Sequence, residues 1–130
     1  MPAVLAGLIL PGLLAAAQTA VPVVIGKADP DLDACLSTGQ VSGINPRARE
    51  PWLNVRNRPG LDGRIVDRLQ PDAVVTMCDS SRDDQWTGIV YSVDRDVDRG
   101  TGSPVPLPVP YRGPCKSGWV ASRFLVVIAG

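Results

Sequence analysis

Apolar and polar positions alternate most clearly at Leu53-Asn54-Val55-Arg56. Leu53 and Val55 point one way and Asn54 and Arg56 the other, as in a half-buried strand. Pro59-Gly60 ends the run with a fixed φ followed by a permissive turn residue. Ile65 to Leu69 reads as a short strand or bend. Ala73 to Cys78 is rich in β-branched residues and reads as a strand. Asp79 to Asp84 is a hydrophilic loop. Trp86 to Ser92 is the best strand, with Trp86, Gly88 and Val90 on one face and Thr87, Ile89 and Tyr91 on the other. The chain closes with a strand at Gly118-Trp119-Val120, a helical turn near Ser122-Arg123-Phe124 and a last strand at Leu125 to Ile128. Upstream, a short strand at Val41 to Ile44 is placed to pair with the one starting at Trp52 as a hairpin.

Two stretches break this pattern. Ser92 to Cys115 is a long excursion between two strands of one hairpin. It carries Asp at 94, 96 and 98, then Pro at 104, 106, 108 and 110. Proline at every second position favours extended polyproline II and blocks a ladder through those residues. We expect this run to pack across its own domain. Residues 1–20 hold no charged side chain and end in small residues. They read as a secretory signal peptide cleaved after Ala17 or Ala20, or as an N-terminal anchor, since no Lys or Arg follows Met1. Residues 21–34 read as a linker, with three Asp and one Pro from Lys27 onward. Residues 35–130 form the domain.

Composition narrows the chemistry. With 130 residues the chain has room for one domain. The 13 basic residues balance the 13 acidic ones, so no excess positive charge is available for a nucleic acid. There is no His, which removes Ser-His-Asp and Cys-His arrangements and His-ligated metal. The three Cys, at 35, 78 and 115, form no CxxC. Asp94, Asp96 and Asp98 lack the sharp-turn Gly and closing Glu of a calcium loop. We expect no enzyme activity, no cofactor and no metal site.

Leu53-Asn54-Val55-Arg56 before Pro59-Gly60, Ile65 and Leu69 before a strand, Trp86 opening the next, and Gly118-Trp119-Val120 followed by Phe124-Leu125 together resemble the bacterial SH3 domain. The resemblance runs from about Trp52 to Ile128. It implies an all-β fold, an SH3-like barrel with an N-terminal strand extension and a long Pro-rich insertion between two late strands. The flanks, among them Asp33-Ala34-Cys35 and Pro110-Tyr111-Arg112-Gly113-Pro114-Cys115, resemble small exported SH3b proteins associated with integron cassettes. Asn57-Arg58 stands where the family has Ser-Gly or Ala-Gly, and Pro71-Asp72 fills a turn that favours Gly.

The resemblance implies a non-catalytic binding module of the cell envelope, periplasmic or secreted, whose partner is peptidoglycan peptide or an envelope protein. Its alternatives are an accessory subunit targeting a separate cell-wall hydrolase and a structural or stress-related envelope protein. A membrane enters only if the first segment stays uncleaved. Relatives tend to have a fourth Cys near Arg99 or Gly100, suited to Cys115. Its absence implies a free thiol at Cys115 and a Cys35–Cys78 disulfide, with Cys35–Cys115 as the competing pair.

The candidate groove consists of Trp86, Tyr91, Tyr111, Arg56 and Arg112, because SH3-like barrels line shallow clefts with exposed aromatics. Trp86 reads equally as groove or core. Trp119, between Gly118 and Val120, reads as core, since large aromatics dominate the burial of a small barrel. Asp83-Asp84 reads as a solvated loop.

Overall fold

The computed structural model describes residues 19–94 and 96–130. The expected signal segment lies almost wholly outside them. Among the described residues nine strands run in chain order: β1 (Val24–Ile25), β2 (Ser37–Val41), β3 (Leu53–Arg56), β4 (Ile65–Leu69), β5 (Val74–Ser80), β6 (Trp86–Tyr91), β7 (Val109–Pro110), β8 (Lys116–Ala121) and β9 (Leu125–Ala129). A 3-10 turn, Ser122–Phe124, joins β8 to β9. Among the described residues no helix is long and apolar enough to cross a membrane.

The fold is all-β. Seven strands form one antiparallel sheet in the order β4-β3-β8-β6-β5-β2-β9, and β1 and β7 form a second, two-stranded sheet. β4 and β9 do not pair, so hydrogen bonds do not close the large sheet into a barrel. Alternation explains β3, where Leu53 and Val55 are buried and Asn54 and Arg56 half-exposed. β6 breaks that rule, being buried on both faces after Trp86. On its second face Val23 packs over Gly88. Gly88 is required there, because a Cβ at that position would sit 2.7 Å from Cβ of Asp79 and 3.1 Å from Cγ1 of Val23.

Residues 21–26 are therefore no linker, in contrast to the expectation. Val23 and Ile25 are buried, whereas Lys27 to Asp33 are exposed. Backbone pairing and apolar burial together outweigh the cost of ordering this strap. Val21 N–H donates to the Asn57 carbonyl and Tyr111 N–H to that of Val23. The Asp79 carboxylate accepts from Val24 N–H at 2.9 Å and from Nζ of Lys27. That corrects the reading of Asp79 as the start of a hydrophilic loop: it belongs to β5, which continues through Ser80.

The expected hairpin between the strand ending near Ile44 and the one starting at Trp52 does not form. β2 has β5 on one side and β9 on the other, so both its edges are taken. The hairpin across the long insertion does form. β6 and β8 pair continuously from Trp86↔Ala121 to Tyr91↔Lys116, and 92–115 leaves and returns at that end. The insertion packs inward through Val105 and Tyr111, which join Ile25, Ala34, Cys35 and Cys78 in a satellite cluster. The main core holds Val41, Leu53, Val55, Leu69, Val75, Ile89, Tyr91 and Val120. Cys35 and Cys78 are joined, with Cα atoms 4.7 Å apart, and Cys115 is free. In the Pro71-Asp72 turn Asp72 takes φ 69°, a left-handed conformation that a short polar side chain tolerates.

Candidate functional site

The residue placed on a surface by its local sequence is Trp86. It follows the turn 81–85, which its own side chains build. Ser81 Oγ donates to Asp83 Oδ1 (2.7 Å) and accepts from Trp86 N–H (3.1 Å). Gln85 N–H also donates to Asp83 Oδ1. The Ser81 hydroxyl bond, then the Gln85 bond, hold the Asp83 carboxyl below its ordinary value. Asp83 thus shapes a turn, and Asp84, at φ 60°, completes it.

Trp86 pairs with Ala121, the last residue of β8, so the 3-10 turn begins beside it. Ser122 N–H donates to the Gln85 carbonyl (2.9 Å), and the Ser122 and Thr87 hydroxyls bond at 2.8 Å. These fix Phe124 near Trp86. On the other wall, Trp52 enters β3 with its Nε1 donating to Asn54 Oδ1 at 3.0 Å. The Arg68 guanidinium lies 4.5 Å from the Trp52 ring centroid, a cation–π contact. Between these walls runs an open groove of about 610 Å³ lined by Trp52, Trp86 and Phe124, with Glu50, Arg56 and Arg123 among its polar groups. Arg56 is committed to structure, donating to the carbonyls of Leu61 (3.1 Å) and Gly63 (2.8 Å).

The other expected groove residues do not join this site. Tyr91 lies at the far end of β6 and is 4% exposed. Its hydroxyl donates to Asp67 Oδ2 at 2.8 Å, and Lys116 Nζ reaches the same oxygen at 3.3 Å. Burial, then the Asp67 carboxylate, push the Tyr91 hydroxyl far above its ordinary value. Tyr91 and Lys116 border a separate groove of about 720 Å³ under the insertion. Tyr111 builds the insertion, its hydroxyl donating to the Arg99 carbonyl (2.6 Å) and accepting from Cys115 N–H (3.1 Å). Arg112 is exposed and lines neither groove. The physical reason is length: six residues of extended strand separate the two ends of β6 by roughly 17 Å. Trp119 is buried, as expected.

Trp52 and Phe124 are the groove residues that the sequence reading missed. Aromatics are few here, so counting every Trp and Phe outside the core would have found them. Among the described residues no group of three or more Cys, Asp or Glu is placed to hold a metal ion. No family model, curated protein or solved structure matches the chain.

Proposed function

We propose that this chain is an exported, non-catalytic binding module of the SH3b type, and that its Trp52–Trp86–Phe124 groove holds an extended peptide segment of peptidoglycan or of an envelope protein. The observation that carries the reading is the convergence of three aromatic side chains, from β6, the 3-10 turn and the start of β3, on one open groove. Flat, rigid rings around a shallow cleft suit an extended chain with little ordering cost. The helical turn before the last strand, Trp86 opening a strand, and the buried Gly118-Trp119-Val120 support the SH3b reading. The Cys35–Cys78 disulfide is compatible with an oxidising compartment and so supports export.

The test is a pull-down on purified sacculi and on an envelope extract, with an unrelated exported barrel as control. Retention of the intact protein and its loss in Trp86→Ala and Phe124→Ala, with both variants still folded at the assay temperature, is the expected result. Retention no better than the control on both materials would reject the reading.

A further inference from the structure

β9 is an edge of the seven-stranded sheet. Exposed edges usually carry a Lys, a Pro or an inward charge that blocks further pairing. The other edge, β4, contains Asp67 and Arg68. β9 contains only Leu125-Val126-Val127-Ile128-Ala129, and no side chain from Phe124 to Gly130 is charged. Val126, Val127 and Ile128 are 47%, 59% and 51% exposed, and Leu36 is exposed beside Gly130. Leu125 packs against the main core, and from Val126 onward both faces of the strand are apolar and exposed.

The hydrogen-bond phase of this edge follows from its pairing. Ser42 N–H donates to the Phe124 carbonyl at 2.8 Å. β2 pairs Val41 with Leu125, Gln40 with Val126 and Gly39 with Val127, and the register shifts beyond that, where Thr38 faces Ala129. An antiparallel ladder alternates bonded and non-bonded pairs, so Gln40/Val126 is the next bonded pair. Leu125 and Val127 therefore turn their N–H and C=O groups outward, away from β2.

We infer that β9 pairs with β9 of a second copy, antiparallel about a two-fold axis through Val127. An antiparallel edge is self-complementary under such an axis. Centred on Val127, the pairing lets each Val127 N–H reach the other copy's Val127 carbonyl. It brings Leu125 and Val126 of each copy towards the 128–129 end of the other, which lies beyond the register shift, and no side chain on either segment is charged. Balanced charge, 13 against 13, gives two copies no net repulsion.

The experiment is sedimentation of the full-length protein over a concentration series, with Val127→Lys, Val127→Glu and their equimolar mixture. Only a two-fold pairing places residue 127 against itself. Each variant should self-associate at least about tenfold more weakly than the natural chain, because like charges then face each other, and the mixture should restore dimers. A second readout needs no charge. In a Cys115→Ser background, Val127→Cys should oxidise to a covalent dimer faster than Val93→Cys, since bonded antiparallel pairs have Cα atoms about 5.5 Å apart, within disulfide reach. A monomeric natural chain overturns the inference. So do open-ended aggregates, dimers that persist in both charged variants, or equal oxidation at 93 and 127.

Discussion

The indole Nε1 of Trp119 donates to the carbonyl of Val21 at 2.8 Å, across 98 positions of chain. This one bond ties the N-terminal strap to the strand that carries the most buried aromatic residue. It divides the role of Trp119 into two parts, burial in the sheet and retention of the strap.

Two substitutions separate them. Trp119→Ala removes both and should cost about 3–5 kcal/mol, a large share of the roughly 5–15 kcal/mol that such a domain has. Trp119→Phe keeps most of the burial and should cost the hydrogen bond, about 1 kcal/mol, plus a modest packing defect. Denaturant unfolding of both variants is the measurement, and equal losses would contradict the division.

Asp79 holds the strap from the other side. Its side chain is 3% exposed while that of Lys27 is 51% exposed. The exposed partner makes the ion pair weak, at most about 1 kcal/mol. The bond to Val24 N–H is part-buried, on a carboxylate that is itself almost fully buried, and matters more. Asp79→Ala should cost about 2–3 kcal/mol by leaving that N–H without a partner, and Lys27→Met should cost less than about 1 kcal/mol. Thermal melts of the two variants give the comparison.

The disulfide closes a separation of 43 residues. In the chain-entropy model such a loop is worth about 4 kcal/mol. Reduction, or the paired change Cys35→Ser with Cys78→Ser, should lower stability by about that amount. Thiol labelling of the native protein should mark Cys115 alone, and peptide mapping reads both results.

Asp67 and Tyr91 give stability a dependence on pH at each extreme. Partial burial works against the Asp67 charge, but bonds from Arg68 N–H, Tyr91 and Lys116 outweigh it and hold the carboxyl below its ordinary value. The stability it contributes is present above the unfolded pKa of about 4 and is lost as pH falls through the lower folded value. Tyr91 is shifted the other way. Its contribution is full below the unfolded pKa of about 10 and declines as pH rises above it. Tyr91→Phe should therefore flatten the melting-temperature profile above about pH 10. It should also weaken the acid-side loss, because one of the bonds to Asp67 disappears. An unchanged profile at both ends would contradict the pairing.

Local pattern was enough to find the strands. Alternation gave β3, β-branched content gave β5, and Gly118-Trp119-Val120 gave the centre of β8, because those signals depend on neighbours two residues apart. The all-β class was implied by the resemblance that those strand motifs carry, and the nine strands of the described residues agree with it. The insertion between β6 and β8 was legible too, as a gap between two strand patterns. Trp86 was readable as a surface candidate because a polar turn precedes it.

What the sequence could not supply was adjacency. Residues 21–26 look like the end of an apolar leader followed by an acidic linker, and contacts with Trp119, Asp79, Asn57 and Tyr111 make them a strap that buries Val23 and Ile25. Trp52 and Phe124 meet Trp86 because the β6/β8 register brings the 3-10 turn to that end of the sheet, while Tyr91 is carried to the other end by the same register. β9 reads as an ordinary apolar strand until the sheet order leaves one side of it open. Strand formation is decided by side chains in local contact. The groove, the strap and the open edge are decided by pairings between distant segments, and their energy comes from burial that no short window of sequence contains.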